Sequence, residues 1–547
     1  MKNNTVITVN VIGAGLAGLS AARGLAKSGV KVRLFSVHSS ERAQSNLAEG
    51  GINASLDVMG ENDSWREHFD DTMKGGCFLA DPEMVKELTM NAPEVVMDMD
   101  RLGVPFHREN GHIVQRNFGG QKKKRTAYAM SSTGRVLVAA LTDEVRKHEY
   151  SGCIKRYPHH RFERIIIKNN ECAGVQIYDL YTHTRKVYEG PVIIASGGFN
   201  GMFPGLTTGT TANTGLAAAE LFSQGVEFAN LEFIQYHPTT TEITGKRLLI
   251  SEAARGEGGR LFYFKDDGSY CYFMEEKYGS SGNLMPRDVI SREMAVLGRQ
   301  VYLDLTKLTE DTWNDKLSDL RDEIMHYMSV DPKLEPVPVS PGIHYFMGGI
   351  RVDIGHRTGI AGLYAAGECA CAYHGANRLG GNSLLGAIYG GLRAAVSVVD
   401  DIAEGAFKGA GAPDNDDIAD FTYIADSEAG IKSFMENELA NGLGIIRDGI
   451  KLQNAIDKIN AGFNDFLIDS GADRGLAISD ELMCRYRFTL AILKSALKRK
   501  ESRGAHTRRD YPKTLKEYQG TSVTRWNGSQ IDYRLEIIPD SDTGVED

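Results

Sequence analysis

The sequence predicts an α/β fold that begins with a Rossmann-like unit. Residues 5–12 form a β-branched apolar run that ends in the glycine motif GAGLAG at positions 13–18. An Ala- and Leu-rich segment follows to about Lys27, and a second apolar run covers residues 31–35. Strand, glycine turn, helix and strand in this order are typical of a βαβ unit in a parallel sheet.

The glycine motif predicts a dinucleotide site. Gly13 permits the tight turn, Gly15 lets the backbone approach a pyrophosphate, and Gly18 allows close packing of the helix on the strand. Such a motif alone is weak, but its position between a strand and a helix favours dinucleotide binding over a purely structural turn. The second strand ends at Ser36 rather than at the carboxylate that usually binds the NAD ribose, which argues against NAD.

Two later apolar runs also end in glycine. Residues 192–195 lead to Gly197 and Gly198, and residues 362–366 lead to Gly367. Since the carboxyl ends of parallel strands meet at one edge of a sheet, we expect all three glycine junctions to lie together. The chain between the second and third junctions then carries an insertion of charged loops and short strands.

The remaining chain divides where the pattern changes. From about residue 417 to residue 500, long helical periodicity with few glycines predicts a helical bundle. The segment after Arg503 is charged and irregular, and we expect it to pack on a surface or a partner. We predict a discontinuous nucleotide-binding domain at residues 1–238 and 350–415, with an α+β domain inserted at residues 239–349. A helical domain follows at residues 416–510, and a tail at residues 511–547.

Composition and charge exclude several functions. The chain has 547 residues, 42% of them hydrophobic, which is enough for several cores. A formal net charge of -10 argues against sequence-independent binding to nucleic acid, which needs a basic face. The basic run at 122–125 is interpreted as a solvated loop, with a partner-docking or anion-steering patch as the alternative.

Location and metal content follow from further patterns. No run of about 18 uninterrupted apolar residues is present, so no membrane-spanning helix is expected. Residues 1–4 show no export signal, which predicts a cytoplasmic chain that meets a membrane only through partner subunits. Seven cysteines without a CxxC pair predict free thiols in a reducing compartment and no metal site.

Seven short motifs follow one another along almost the whole chain. They are AEGGIN at 48–53, QYHPT at 235–239, SEAARGEGG at 251–259, PRDV at 286–289, HYFMGG at 344–349, HGANRLGGNSLL at 374–385 and RKESRGAH at 499–506. Together they resemble the succinate dehydrogenase/fumarate reductase flavoprotein family. The resemblance implies a bilobed FAD-binding domain, an inserted capping domain and a helical domain, which agrees with the order predicted above.

The resemblance implies bound FAD. The residues that it places around FAD are Gly13, Gly15, Gly18, Ser36, Ala48, Gly50, Gly51, Gly198, Glu368, Ser383 and Leu384. Family members with covalent flavin carry a histidine six residues before the Gly-Gly pair, and Gln44 stands there in this chain. Because an amide is no nucleophile for that bond, we expect non-covalent FAD, as in relatives that work chiefly as reductases.

The resemblance also implies a site for a C4 dicarboxylate. Arg378 and His344 match the family's grip on one carboxylate, since a guanidinium suits a planar acceptor with two oxygens. His237 and Ser251 match the grip on the other carboxylate. A dicarboxylate is therefore expected to be held at both ends.

The implied proton donor is Arg287. This role is unusual, because arginine side chains are normally protonated at all accessible pH. Glu252 and Arg255 match a relay that returns the proton from solvent, and their spacing places them on one face of a helix if that segment is helical. The implied reaction is interconversion of fumarate and succinate by hydride transfer at flavin N5 and proton transfer from Arg287, mainly as fumarate reduction.

Other functions remain open. L-aspartate oxidase is the nearest alternative, although the motifs at 344–349 and 374–385 are closer to the dehydrogenase/reductase branch. Phe346 and the pair Thr240-Thr241 depart from the common pattern, which leaves reduction of a related unsaturated acid open. A non-catalytic electron-transfer module is an alternative from another functional class. The presence of the implied proton donor, the proton relay and both carboxylate-binding pairs argues against this alternative.

Electrons are expected to come from a partner. The sequence shows no cluster motif, haem motif or second dinucleotide fingerprint. In the family, electrons pass through an iron–sulfur subunit, and residues 501–506 resemble the flavoprotein's C-terminal motif in such complexes. The alternative is that residues 501–506 simply cap the helical domain.

Overall fold

The core of the fold is a five-stranded parallel sheet. A computed structural model describes residues 7–130, 132–407, 425–470 and 479–538 of the chain. The sheet contains, in spatial order, the strands Leu363–Ala365, Val192–Ile194, Thr8–Ile12, Lys31–Ser36 and Ile154–Pro158. The three strands that end in glycine are neighbours and run parallel. The predicted meeting of the three glycine junctions at one sheet edge is confirmed, while residues 5 and 6 of the predicted first strand lie outside the described residues.

Close backbone packing explains two of the glycines. Gly13 has φ +114, and a Cβ there would lie 2.1 Å from the Ala195 carbonyl oxygen. A Cβ on Gly18 would lie 1.8 Å from the Gly13 carbonyl oxygen. Only glycine therefore lets the helix Leu16–Lys27 begin directly above the strand, as the sequence predicts.

Helices pack around this sheet. The helices of this part are Leu16–Lys27, Trp65–Gly75, Pro82–Arg101, Thr133–Tyr150, Leu216–Ser223 and Asn382–Ala403. Among the described residues, only Asn382–Ala403 is long and apolar enough to cross a membrane by length and composition, and 67% of its most apolar window is buried inside the protein. Its apolar side chains share one hydrophobic cluster with Leu16–Lys27, as in a core helix.

The inserted segment forms its own sheet. Its six strands are, in spatial order, Lys246–Leu249, Ile234–Ile243, Val337–Phe346, Val301–Asp304, Arg260–Phe264 and Tyr270–Cys271. Its helices are Glu252–Gly256, Phe273–Tyr278, Arg287–Leu297 and Ser318–Met328. The predicted start of the insertion, residue 239, lies inside the continuous strand Ile234–Ile243, so this strand carries residues of both proposed domains.

Within the region predicted as a helical domain, the described residues include three helices. They are Ala425–Gly442, Gly449–Asp469 and Asp480–Lys498, and they pack around buried side chains such as Leu439, Phe463 and Phe488. The predicted boundary between residues 415 and 416 lies outside the described residues.

The prediction of an irregular tail is wrong for residues 520–537. Strands Gly520–Trp526 and Ile531–Ile537 form an antiparallel hairpin that pairs with Phe228–Ala229. Apolar residues alternate with charged residues along the second strand, where Asp532 and Arg534 are exposed and Glu536 is half-buried. This period of two was a usable strand signal. The same sheet also contains Gly349–Arg351 and Ala370–Cys371.

The other strands belong to small peripheral sheets. A three-stranded sheet contains His160–Lys168, Glu171–Asp179 and Arg185–Glu189, and a second one contains Ile52–Asn53, Gln115–Arg116 and Thr126–Ala127. Two-stranded pairs are formed by Arg108–Glu109 with His112–Ile113 and by Ile446–Arg447 with Thr507–Arg508.

Candidate active site

A cavity of about 340 Å³ opens at the carboxyl ends of the parallel strands. Eight of the residues expected around FAD line it: Gly13, Gly15, Ser36, Ala48, Gly198, Glu368, Ser383 and Leu384. Gly18, Gly50 and Gly51 lie outside this lining and meet neighbouring groups instead, since a Cβ on Gly51 would lie 2.6 Å from the Ala127 carbonyl oxygen. These three glycines shape the backbone beside the cavity.

The cavity residues fit a dinucleotide. The N-terminus of helix Leu16–Lys27 opens beside Gly15, and its first turn carries no acidic residue that would repel a phosphate. Arg161 Nε and Asn213 Nδ2 are buried, have no hydrogen-bond partner among the described residues and belong to residues of the cavity wall. Both are donors that phosphate or ribose oxygens would satisfy.

Gln44 lies in the cavity wall, on the 3₁₀ turn Gln44–Leu47. Its Oε1 accepts a hydrogen bond from the Thr210 backbone amide at 2.5 Å. The residue at the expected linkage position is therefore an amide that the protein itself holds in place.

Arg287 and Glu252 form a buried pair where two short elements begin. Arg287 is the first residue of helix Arg287–Leu297, and Glu252 is the first residue of helix Glu252–Gly256. Arg287 Nε and Nη2 donate to Glu252 Oε2 at 2.9 and 2.6 Å. Burial raises the pKa of Glu252, but the charges of Arg287 and Arg255 outweigh it, so the pKa lies below its ordinary value.

The three residues of the predicted relay contact one another through Glu252. Arg255 Nη2 lies 3.4 Å from Glu252 Oε1, so that one carboxylate contacts both arginines. Arg255 Nη1 donates to the Asn283 carbonyl oxygen at 2.6 Å, and the Arg255 side chain is fully buried. Burial lowers the pKa of Arg255, and the Glu252 charge opposes that shift. A continuous contact path therefore runs from Arg287 through Glu252 to Arg255.

His237 and His344 face each other from neighbouring antiparallel strands, with ring centroids 5.1 Å apart. His344 Nδ1 lies 2.8 Å from the Thr208 hydroxyl. Burial lowers the pKa of both histidines well below the ordinary value, and the Arg287 charge adds to the effect. Both imidazoles are therefore neutral at pH 7 and can each donate one hydrogen bond.

Arg378 is buried near His344, with its guanidinium carbon 4.5 Å from the centroid of the Tyr345 ring. Its Nε has no hydrogen-bond partner in the described structure. Burial lowers the pKa of Arg378 to about 9, and the nearby Arg287 charge acts in the same direction. A buried cation with a free donor is a strong site for a carboxylate.

Ser251 caps the helix that carries the relay. Its hydroxyl accepts from the Ala253 backbone amide at 3.4 Å, and the residue is buried. Serine at this position thus fixes the start of helix Glu252–Gly256 as well as standing where the resemblance places a carboxylate grip.

Several site residues were not identified from the sequence. Gln235 accepts from both Arg287 and Arg378, and its position two residues before His237 on one strand was the available signal. Gly119 donates its backbone N–H to Glu252 Oε1 at 3.2 Å. A Cβ on Gly380 would lie 2.8 Å from Glu252 Oε2, and no local pattern predicts that contact.

Glu368 joins the cavity to the capping sheet. Its Oε1 accepts from the Phe346 backbone amide at 3.2 Å. Burial raises the pKa of Glu368 to about 7, and the Phe346 amide opposes the shift. The Phe346 ring packs against Phe199, with ring centroids 3.8 Å apart, and both rings belong to one buried hydrophobic cluster.

The motif at 501–506 has internal partners. Arg499 Nε donates to Glu232 Oε1 at 2.5 Å, and Arg499 Nη1 donates to Glu501 Oε1 at 2.9 Å. Arg503 Nε donates to the same Glu501 oxygen at 2.8 Å, and His506 Nε2 lies 3.1 Å from the Arg499 carbonyl oxygen. Glu501 and His506 are fully buried, which agrees with the capping alternative for these two side chains.

The basic run at 122–125 is only partly a solvated loop. Arg125 is fully buried and forms ion pairs with Asp63 at 2.9 Å and Asp71 at 3.0 Å. The interpretation as a solvated loop or docking patch is wrong for Arg125, because two buried carboxylates neutralise it. Within the described ranges, no group of three His, Cys, Asp or Glu side chains is arranged to hold a metal ion, and the seven cysteines are free.

Fold and site together define an FAD-dependent oxidoreductase. The FAD binding domain family matches residues 8–384, and the fumarate reductase flavoprotein C-terminal family matches residues 432–543. The chain belongs to the succinate dehydrogenase/fumarate reductase flavoprotein family.

Named relatives support this membership. The succinate dehydrogenase flavoprotein subunit of Bacillus subtilis is 35% identical over 98% of this chain and 96% of its own length. The fumarate reductase flavoprotein subunit of Mycobacterium tuberculosis is 34% identical over 92% of this chain and 91% of its own length. The FrdA chain of E. coli quinol fumarate reductase matches with a TM-score of 0.86 and 27% identity, over 97% of this chain and 96% of that chain. These relatives do not favour the L-aspartate oxidase alternative.

Proposed function

We propose that the chain interconverts fumarate and succinate and works mainly as a fumarate reductase. FAD, when bound, supplies the hydride through N5 of its flavin ring. The observation that carries the proposal is the charge of the buried cluster formed by Arg255, Arg287, Arg378 and Glu252. Three guanidiniums and one carboxylate leave two net positive charges, which match the two negative charges of a C4 dicarboxylate.

Each end of the dicarboxylate has its own donors. Arg378 binds one carboxylate with its unpartnered Nε, next to His344. His237 and Ser251 bind the other carboxylate from the opposite side. When the Thr208 hydroxyl donates to His344 Nδ1, the proton of that neutral imidazole is on Nε2 and can be donated to the substrate.

The proton comes from Arg287. Its guanidinium gives a proton to one alkene carbon, and the hydride is added to the other carbon. Each alkene carbon thereby gains one hydrogen. Glu252 contacts both Arg287 and Arg255 and passes a proton back to Arg287. Burial of this pair excludes water and strengthens its electrostatic contacts.

Steady-state assays test the substrate and the direction together. The purified chain with FAD is mixed anaerobically with a reduced dye and fumarate, or with an oxidised dye and succinate. We expect faster turnover with fumarate and reduced dye. Aspartate-dependent production of hydrogen peroxide in air, without fumarate turnover, would instead identify an oxidase.

Non-covalent FAD is the first testable prediction. Acid precipitation of the holoenzyme is expected to leave yellow FAD in the supernatant, because Gln44 offers an amide where a linkage needs an imidazole. Absorbance of the supernatant measures the released FAD, and free FAD added to apoprotein before precipitation gives the recovery standard. A denatured polypeptide band that still fluoresces as flavin would contradict the prediction.

An external electron donor is the second prediction. We propose that an iron–sulfur subunit delivers the electrons, that the chain is cytoplasmic, and that it reaches the membrane surface only through partner subunits. The relatives above are named as flavoprotein subunits, and one belongs to a quinol fumarate reductase. The isolated chain is expected to reduce fumarate with small dyes and hardly at all with quinols. Quinol-driven activity of the purified chain would overturn the proposal.

A further inference from the structure

We propose that Gln235 sets the charge preference of the dicarboxylate site, by placing a neutral oxygen where the guanidiniums of Arg287 and Arg378 converge. This inference rests on the proposed function, because it concerns which anions the same site accepts. Gln235 acts through the two arginines and is therefore a positioning and specificity residue.

Every polar atom of Gln235 is used inside the site. Gln235 is fully buried on strand Ile234–Ile243. Its Oε1 accepts from Arg287 Nη1 at 3.2 Å and from Arg378 Nη2 at 3.1 Å. Its Nε2 donates to Asn377 Oδ1 and to the Arg378 carbonyl oxygen, both at 2.7 Å. The amide therefore links the proton donor to the substrate grip with four hydrogen bonds.

The neutrality of this oxygen has an electrostatic consequence. Two converging guanidiniums ordinarily recruit a carboxylate, which neutralises part of their charge. Glutamate has nearly the same shape as glutamine, so one carboxylate oxygen would fit at the position of Oε1, while the hydrogen bonds that Nε2 donates to Asn377 and to the Arg378 carbonyl oxygen would be lost. With a carboxylate there, the cluster would keep one net positive charge and would no longer match a dianion. Gln235 orients both arginines and leaves their charge for the substrate.

The neighbouring strand reinforces the orientation. Gln235 pairs with Tyr345 across the antiparallel strands, and the Tyr345 ring lies beneath the Arg378 guanidinium. Arg378 is thus held both by an aromatic face and by the Gln235 oxygen. Fixed relative positions of donor and grip are what a proton transfer to a bound alkene requires.

Two substitutions separate charge from orientation. Gln235→Glu adds one negative charge, keeps the two accepted hydrogen bonds and loses the two that Nε2 donates, and Gln235→Met keeps the charge but removes all four hydrogen bonds. Gln530→Glu, at an exposed turn of the C-terminal hairpin, adds the same charge far from the site and is the matched control. Changes in flavin absorbance are used to titrate each folded, FAD-loaded variant with fumarate and with monomethyl fumarate, which carries one negative charge.

Gln235→Glu is expected to weaken fumarate binding roughly 10- to 100-fold and monomethyl fumarate binding less than about threefold. Gln235→Met is expected to bind fumarate within about threefold of the wild type while kcat falls at least about tenfold. Gln530→Glu should match the wild type in both measurements.

Unchanged fumarate affinity in Gln235→Glu, or an equal loss for both ligands, overturns the proposal. If Gln235→Glu does not fold, the result with Gln235→Met is decisive. A Gln235→Met variant that no longer binds fumarate more tightly than the monoester overturns the proposal. A variant that keeps this preference and has a reduced kcat supports the proposal. A wild-type chain that binds neither ligand would instead overturn the proposed function, so the two failures are distinguishable.

Discussion

Replacement of Arg287 by glutamine is expected to lower the rate of fumarate reduction by about 10²–10⁴-fold, the usual contribution of a general acid. The substituted amide cannot donate a proton to the alkene, although it retains a hydrogen-bond donor for Glu252. FAD content should change little. Dicarboxylate affinity should fall, because the cluster then keeps only one net positive charge, but by less than the rate, because Arg378, His344 and His237 remain. Dye-driven turnover gives the rate, and flavin absorbance titration gives the affinity.

Arg299→Gln is the matched control, since Arg299 pairs with Asp266 at the surface and such pairs contribute little. It should retain full activity. A loss below about tenfold in Arg287→Gln would count against the role of Arg287 as proton donor. A loss of affinity as large as the loss of rate would make Arg287 a substrate grip instead.

Gly13→Ala is expected to lower FAD affinity by at least about tenfold and to yield largely colourless protein. Gly13 has φ +114, and its Cβ would lie 2.1 Å from the Ala195 carbonyl oxygen, so the backbone that forms the cavity floor must move. FAD affinity is measured by quenching of FAD fluorescence on addition of apoprotein, with thermal unfolding as a check of the fold.

Gly359→Ala provides the control for adding a methyl group, since no atom of the described part of the chain lies within 4 Å of its Cβ position and the residue is exposed. It should bind FAD as the wild type does. Wild-type FAD affinity in Gly13→Ala would show that the loop adapts, and would contradict the role assigned to this turn.

The parts of the fold that depend on local sequence were predictable. Each glycine junction is an apolar strand followed by a tight turn, which the local sequence shows. Gly18 packs against Gly13, only five residues away. The spacing of Glu252 and Arg255 correctly indicated a shared helical face, because the pair lies within one short helix. Contacts between residues that are close in the sequence were therefore predicted correctly.

The parts that depend on distant contacts were not predictable. Gln235 meets Arg378 across 143 positions of sequence, and no periodic pattern encodes such a pairing. The burial of Arg125 is similar, because its carboxylate partners Asp63 and Asp71 lie some distance away in the chain, and its charged neighbours suggested solvent. The C-terminal hairpin is different. Apolar and charged residues alternate in its second strand, but the segment was predicted to be irregular because it is rich in charge.

We propose that this chain alone carries the complete set of groups for reducing a C4 dicarboxylate. In a stopped-flow absorbance experiment, the flavin of the purified, FAD-loaded chain is photoreduced without oxygen and mixed with fumarate. We expect rapid return of the oxidised flavin spectrum, with one succinate formed for each flavin reoxidised. A reduced flavin that stays bleached in fumarate, while oxygen reoxidises it normally, would show that the chain lacks part of this set.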